Sequence, residues 1–399
     1  MTGPSGVPAI AITGMGILTP LGDAIEPLEE ALRAGRVAVE PAADLEGAPI
    51  ARIADFEATR YANVRGLRLY NRPTRLGICA SRLALAQAGL ETGLPPEELG
   101  VVVASTFAHL ETLLEYDRSV VSVGIARTNP ALMPLAIPSA PGAALALSFV
   151  AKAFSVTLAD GGTSGLDALG LGARLVAAGR ARAAIVAGMF SVVPELVLSA
   201  ARAGLLAPAD GFVVLDRARR GTAFGEAGVA FVVEPLDLAH ERGANVLATV
   251  AGQGSAFALA PEGLAGALTR ACRSALAGAG IRASDVDLAV CGASGSVDGD
   301  RAEALALVAA LGSAAARTAV VAPAASLGES MDAKGLVGAC VALAAMRSGV
   351  APPVPRLVEP EVGGLRYLDS PSPIDVRHAL VTSTSLSGGA SAVILSRPA

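Results

Sequence analysis

The chain has 399 residues, of which 52% are hydrophobic and 17% are charged, and this composition excludes a disordered or fibrous protein. The 31 basic and 36 acidic residues give a net charge of −5 without a run of five basic residues, so neither nucleic acid nor an acidic membrane is an expected partner. The length predicts two domains or one duplicated domain, with a core large enough to fold without metals or disulfides.

The cysteines and the chain termini indicate the compartment. Cys79, Cys272, Cys291 and Cys340 lie far apart inside apolar stretches, which predicts buried free thiols in a reducing cytoplasm and no zinc or disulfide framework. The N-terminus has no basic region followed by an apolar run, so no signal peptide is expected. The longest uncharged stretch, residues 131–151, contains three prolines and is interpreted as buried loop and core, not as a membrane helix.

Strand and helix patterns alternate along the chain. Short apolar runs without in-and-out alternation are typical of strands buried on both faces, and they lie at residues 9–13, 101–105, 183–188, 229–234 and 288–292. Helical patterns lie between them, at residues 26–34, 74–89, 164–178, 264–277, 302–311 and 335–347. This alternation predicts an α/β fold.

One pattern occurs twice. Residues 80–106 and residues 272–295 each contain a helix ending in Ala-Gly, a short acidic loop, and a buried strand that opens into a turn of small residues. No Pro-rich linker separates the halves, which we take as residues 1–235 and 236–399. The repeat predicts one pseudo-symmetric αβαβα unit of five layers, with helices packed between two sheets. The alternative is that Ala-rich helices simply look alike.

Several modest motifs occur in a characteristic order, at residues 12–22, 68–90, 137–147, 155–188, 215–244 and 384–395. The first reads ITGMGILTPLG and the last TSLSGGASAVIL. In this order and spacing they resemble the β-ketoacyl synthase family of the thiolase fold from end to end. We expect no cofactor and no metal.

The resemblance implies a cysteine nucleophile on a sharp strand-to-helix turn, where the helix N-terminus lowers the pKa of the thiol. The matching turn is residues 159–165, and Gly162 stands at the nucleophile position. Ser164 aligns with an ordinary serine of the family and does not replace the nucleophile. We interpret Asp160 as a helix cap; the alternative is a catalytic base.

In this family two histidines assist decarboxylation of the malonyl unit by donating hydrogen bonds to the developing enolate. The resemblance puts Gly292 at the first histidine position, Glu329 at the second, and Ala324 at the position of a supporting lysine. The resemblance therefore implies that all four catalytic side chains are replaced together. This predicts that the chain keeps a function that is not catalytic.

The three histidines of the chain lie outside these motifs. His240 is predicted on a surface helix, and His378 before a strand. His109 lies in residues 105–116, which in the family lie near the subunit interface and the end of the acyl tunnel. We interpret it as an interface histidine without chemistry.

A ketosynthase scaffold without its nucleophile resembles the chain length factor, the second subunit of type II polyketide synthase ketosynthases. The resemblance implies a heterodimer with an active ketosynthase and a shared tunnel for the acyl chain that the acyl carrier protein delivers. Chain length factors of aromatic systems commonly carry Gln at the nucleophile position, so Gly162 leaves room for a reduced, polyene-type product. The edge strand expected to pair with the partner consists of Ser155, Val156, Thr157 and Leu158.

Helical spacing from residue 107 to residue 116 predicts one face that closes the tunnel floor and sets product length. The candidate tunnel residues are Phe107, Ala108, Thr112 and Tyr116, together with Met133 in a Pro-flanked loop. The alternative is that these side chains are plain core.

Two other functions stay open at this point. One is a rewired decarboxylase or hydrolase that uses Glu329 with Asp160 or His109. The other is a scaffold that stabilises a partner subunit without touching substrate.

Overall fold

The structure is a computed structural model that describes residues 8–208 and 210–398. Residues 1–7 belong to the N-terminal segment for which no signal peptide was expected, and they lie outside the described residues. No helix of the described ranges is both long and apolar enough to cross a bilayer.

The strands of the described residues, in chain order, are β1 (Ile10–Leu18), β2 (Glu40–Ala42), β3 (Ala48–Ala51), β4 (Leu99–Ala104), β5 (Phe154–Leu158), β6 (Ala183–Phe190), β7 (Phe224–Gly225), β8 (Ala227–Pro235), β9 (Ala248–Phe257), β10 (Leu288–Val290), β11 (Ala319–Val321), β12 (Val350–Ala351), β13 (Arg366–Tyr367), β14 (Ser372–Pro373), β15 (His378–Thr384) and β16 (Gly389–Ser396).

The α-helices are α1 (Ile25–Arg33), α2 (Arg72–Ala88), α3 (Leu110–Val123), α4 (Ala140–Ser148), α5 (Ser164–Ala177), α6 (Pro194–Arg202), α7 (Leu236–Glu241), α8 (Leu264–Ala279), α9 (Val297–Leu311), α10 (Ala324–Leu327) and α11 (Lys334–Ser348). Local sequence explains the bounds of α2: the Asn71 side chain accepts the amide of Thr74 at its start, and Gly89 ends it in the left-handed conformation.

The strand order repeats in the two halves of the main sheet. Outwards from the junction of the halves, the N-terminal half runs β1-β8-β6-β4-β5 and the C-terminal half β9-β16-β15-β10-β11. If the five strands of each half are numbered along the chain, both halves have the order 1-5-4-2-3. In each half the two pairs nearest the junction of β1 with β9 are antiparallel, and the two outer pairs are parallel. The predicted internal repeat is therefore present, with β4 and β10 each following a helix that ends at a left-handed glycine.

The predicted α/β, thiolase-like, five-layered fold is confirmed. α5 and α11 pack against each other between the two half-sheets, α2 and α4 cover the outer face of the first half, and α8 and α9 cover that of the second. The two sheets expected from the sequence are joined, because β1 pairs with β9 over two residues and makes one sheet of eleven strands. The division at residue 235 stays a prediction.

The four cysteines are buried and free, as predicted. The interpretation of residues 131–151 as buried loop and core is only partly right. Met133 is 51% exposed and Leu147 is 76% exposed, because α4 turns only one side towards the core. The stretch therefore adds an apolar patch to the surface beside β5.

Candidate functional site

The turn between β5 and α5 has no room for a side chain at Gly162. The chain leaves the strand at Leu158 and makes one 3-10 turn, Gly161–Thr163, before the helix begins. Gly162 is buried, and a Cβ atom there would lie under 3.0 Å from the Thr384 carbonyl oxygen and 2.9 Å from Lys334 Nζ. The Ser383 hydroxyl donates to the Gly162 carbonyl at 2.6 Å and fixes the turn against the end of β15. A larger residue at position 162 therefore requires its neighbours to move.

The prediction that Asp160 caps the following helix is wrong. Its side chain makes no capping hydrogen bond and is exposed to solvent. The backbone amide of Asp160 instead donates to the Ser164 hydroxyl at 2.7 Å, so the turn is closed by a serine oxygen and the carboxylate points away.

Gly292, at the position of the first histidine, lies just after β10 and is enclosed in the same way. A Cβ atom there would lie 2.7 Å from the Thr382 carbonyl oxygen and 2.9 Å from Glu303 Oε1. Glu303, on α9, is fully buried, and its carboxylate accepts the hydroxyl groups of Thr382 at 2.6 Å and Thr384 at 3.0 Å. No imidazole can stand here without displacing backbone.

Glu329, at the position of the second histidine, is held on both carboxylate oxygens. Oε1 accepts the Met331 amide at 2.8 Å, and Oε2 pairs with Lys334 Nζ at 2.9 Å. Its backbone is equally fixed, because its amide donates to the Ala223 carbonyl at 2.7 Å and its carbonyl accepts the Gly225 amide at 2.9 Å. Glu329 is therefore a partner within a buried ion pair and offers no free oxygen to a substrate.

Lys334 is the residue that sequence reasoning missed. It begins α11, its side chain is only 11% exposed, and Nζ donates to Glu329 and, at 3.0 Å, to the Thr384 carbonyl. Burial lowers the pKa of Lys334, but the carboxylates of Glu329, Glu303 and Asp300 outweigh it and leave that pKa above its usual value. Lys334 is therefore a cation that contacts Glu329 and lies against the position of Gly162.

A signal for Lys334 was available in the sequence. A lysine at the start of a helix opposes the helix dipole, which favours anions there, and this one stands in an apolar stretch. Such a cation requires a carboxylate near it, and Glu329 lies five residues earlier.

Two of the four predicted catalytic positions line one small cavity. Gly292 and Ala324 line it together with Ser330, Lys334 and Thr382. Its volume is about 10 Å³, which is close to that of one water molecule. The cavity beside Gly292 and Ala324 is therefore too small for an acyl group.

Asp332 joins the three loops around this cavity and was also missed. It is fully buried and accepts the amides of Thr106 and Phe107, at 2.8 and 3.1 Å, and the Thr106 hydroxyl at 2.6 Å. The same hydroxyl accepts the Gly161 amide at 2.9 Å. Burial raises the pKa of Asp332 to about 6, and the hydrogen bonds from Thr106 and Phe107 limit the rise. The carboxylate therefore fixes the loop after β4 and the turn before α5 to the start of α11.

The candidate tunnel residues occupy different environments. The helical face predicted from residue 107 is partly wrong, because α3 begins only at Leu110 and Phe107 lies in the preceding turn, packed against a cluster that contains Phe190 and Phe224. Asn71 donates to the Ala108 carbonyl at 2.7 Å and to the Thr112 hydroxyl at 3.2 Å, so this part of the helix is fixed to α2.

The outer end of α3 is less tightly enclosed. Tyr116 is half-buried and Met133 is 51% exposed. A role for these side chains at a tunnel floor stays a prediction.

The predicted interface residues lie on the sheet edge. β5, which contains Ser155, Val156, Thr157 and Leu158, is the last strand of the sheet and pairs on one side only, with β4. His109 precedes α3; its Nδ1 is buried and has no hydrogen-bond partner among the described residues. Burial lowers the pKa of His109.

The other two histidines lie away from this edge. His240 is exposed on α7, and His378 begins β15, with its Nδ1 2.8 Å from the Ser396 hydroxyl. Within residues 8–208 and 210–398, no three His, Cys, Asp or Glu side chains are grouped to hold a metal ion.

The Glu329–Lys334 pair yields a stability prediction. Replacing Glu329 by Gln leaves a buried ammonium without its counter-charge, and we expect the free energy of unfolding to fall by about 3–5 kcal/mol. Replacing both residues, Glu329→Gln with Lys334→Met, removes the buried charge and should cost less than about 2 kcal/mol.

The only other lysine provides the control. Lys152 pairs with Glu97 on the surface at 3.4 Å, so Glu97→Gln should leave the free energy of unfolding almost unchanged. Urea unfolding of the four proteins measures these differences. A cost for Glu329→Gln as small as that for Glu97→Gln would show that the buried pair is not held as described.

Comparison with known proteins identifies the family. Residues 8–239 match the β-ketoacyl synthase N-terminal domain, and residues 244–357 match the C-terminal domain of the same family. A polyketide β-ketoacyl synthase 2 of Streptomyces coelicolor is 31% identical over 97% of this chain and 95% of its own length.

Solved structures agree on the fold. The ishigamide ketosynthase/chain length factor superposes with a TM-score of 0.89 at 24% identity, covering 98% of this chain and 100% of the other. A type II polyketide synthase acyl carrier protein in complex with its ketosynthase bound to the hexaketide gives a TM-score of 0.86 at 18% identity, covering 98% and 100%. The chain belongs to the β-ketoacyl synthase family.

Proposed function

We propose that this chain is a non-catalytic, chain length factor-like subunit of a type II polyketide synthase, which pairs with an active ketosynthase and shapes the acyl tunnel. One observation carries the proposal: position 162 has neither a side chain nor space for one. A condensing enzyme must hold its acyl chain on a nucleophile at the start of α5, and a glycine enclosed by backbone and a lysine offers none.

The neighbouring positions support the same conclusion. Gly292 and Ala324 have no hydrogen-bond donor in their side chains, and Glu329 would bring a negative charge towards a malonyl carboxylate. These substitutions remove nucleophile and enolate stabilisation together, while the buried core around them is intact.

The rival proposal of a rewired enzyme has little support. It requires Glu329 as an acid or base, but both oxygens of that carboxylate are engaged by Met331 and Lys334. Asp160 is exposed on the turn, and its side chain makes no capping hydrogen bond there.

The partner is inferred from the surface at the β5 edge. A strand that pairs on one side only has free backbone groups on the other, and such edges have to be paired or covered. Apolar side chains continue beside this edge: Leu147 is 76% exposed and Val150 is 54% exposed.

We propose that β5 of this chain pairs with the matching strand of an active ketosynthase, and that an acyl carrier protein delivers the growing chain to the pair. Obligate interfaces of this kind commonly bury more than about 2,000 Å².

Assembly is tested by charging that surface. Co-expression of the chain with its active ketosynthase partner should give a 1:1 complex on size-exclusion chromatography. We expect Leu147→Glu to abolish the complex, because a charge then lies in an apolar interface. Leu259→Glu is the matched control, since Leu259 is 98% exposed after β9, far from β5 in the sheet order. Equal yields of complex from both variants would contradict the proposed interface.

The chain-length role is tested by product length. If Tyr116 closes the tunnel floor, Tyr116→Ala in the reconstituted pair should lengthen the products by at least one two-carbon unit. Each buried methylene contributes about 0.8 kcal/mol, enough to shift a product distribution several-fold. Phe107→Ala should do the same at a higher cost, about 3–5 kcal/mol of stability, because Phe107 packs against a buried cluster.

Tyr367→Ala is the control for a lost aromatic ring, since β13 is the opposite edge of the sheet. Mass spectrometry of the products and the melting temperature of each complex are measured together. Unchanged product length with lower stability would leave these residues as plain core and refute the tunnel assignment. Loss of partner yield alone would favour the pure scaffold.

A further inference from the structure

The space at Gly162 is occupied by another part of the same chain. Lys334 Nζ lies 2.9 Å and its Cε 3.1 Å from the point where a Cβ atom at position 162 would stand. The lysine reaches this point from the start of α11, which lies 172 residues after Gly162 in the sequence. What encloses the glycine on this side is therefore a side chain.

The second obstacle at position 162 depends on the same lysine. The Thr384 carbonyl oxygen would also clash with a Cβ atom at that position, and Lys334 Nζ donates to this oxygen at 3.0 Å. The ammonium thus binds the oxygen that blocks the turn, and this oxygen is also positioned by β15, because Thr384 pairs with Ala390 of β16. Glu329 fixes the ammonium from the other side at 2.9 Å.

We propose that Lys334 is a built-in occupant of the vacated acyl site, held there by Glu329 and the Thr384 carbonyl, and that it keeps the site closed to acyl groups and to any side chain at position 162. Lys334 is a positioning residue and takes no part in chemistry. This inference goes beyond the chain-length role and holds whether or not the chain sets product length.

The chemistry of the residue suits this task. An ammonium is compact and has three donors, whereas a guanidinium is planar and larger. Of the 31 basic residues of the chain only Lys152 and Lys334 are lysines, and the others are arginines. Position 334 therefore has a lysine in a chain that otherwise uses arginine almost throughout. Two acceptors, Glu329 Oε2 and the Thr384 carbonyl, receive its hydrogen bonds.

The two lysines make a direct test possible in the wild-type chain. Amine acylation with an N-hydroxysuccinimide ester, followed by peptide mass spectrometry, reports both in one sample. Lys152 is exposed, with 59% of its side-chain surface accessible, and is the internal control. We expect Lys334 to react at least about tenfold more slowly, because it must first leave its ion pair through local opening. Equal rates at the two lysines would overturn the proposal.

A thermodynamic cycle tests the blocking role itself. Gly162→Ala should lower the melting temperature by several degrees in the wild-type chain and by clearly less in a Lys334→Ala/Glu329→Gln background, where the occupant and its counter-charge are gone. Gly292→Ala is the matched control, because its Cβ would meet Thr382 and Glu303 and not Lys334. Its penalty should be the same in both backgrounds.

Two outcomes of the cycle would contradict the proposal. One is an equal penalty for Gly162→Ala in both backgrounds, and the other is equal relief for Gly292→Ala. If the background variant does not fold, acylation of the Gly162→Ala single variant decides the question: displacement of Lys334 by the new methyl group predicts faster labelling of Lys334 relative to Lys152, and an unchanged ratio of rates would refute it. Neither measurement uses product length, so failure here is distinct from failure of the chain-length proposal.

Discussion

A buried lysine must have a counter-charge, and this requirement organises the centre of the molecule. Lys334 stands at the start of a helix, where the dipole disfavours a cation, and inside a region that excludes most water. Glu329 supplies the charge, and its backbone is fixed in turn to Ala223 and Gly225. The position of one ammonium therefore depends on the loop before α11, on the strand segment at β7 and on the end of β15.

The scaffold explains why these groups meet. In each half of the sheet the outer strands are parallel, so the loops after β4 and β5 lie at one end of their strands, as do those after β10 and β15. Contacts such as that of the Ser383 hydroxyl with the Gly162 carbonyl join the two sets of loops. Asp332 joins two of those loops through Thr106 and the Gly161 amide. The β-ketoacyl synthase fold is thus present with a set of hydrogen bonds that fixes the loops around this region.

Local sequence was sufficient for part of the fold. Apolar runs predicted five strands of the main sheet, and helix patterns predicted the long helices, but β9, β11 and β16 were not predicted as strands. The assignment of Gly162, Gly292 and Glu329 to the family's catalytic positions stays a prediction from the resemblance. Two features could not be predicted, because each depends on contacts between distant segments. One is the approach of Lys334, on α11, to position 162, and the other is the contact of Asp332 with Thr106 across 226 residues. A local feature was also missed: the Asp160 side chain makes no capping hydrogen bond, and its amide donates to the Ser164 hydroxyl. The late start of α3 depends on the packing of Phe107 against Phe190 and Phe224.

If this chain is a non-catalytic subunit, as we propose, it carries no acyl group. The most direct measurement is intact-protein mass spectrometry of the complex with an active ketosynthase after incubation with an acyl-carrier thioester. The account predicts the mass of the acyl group on the partner subunit only, with this chain unmodified, since position 162 has no nucleophile and the four cysteines of the chain are buried. An acyl group attached to this chain at a stoichiometry near that of the partner would contradict it.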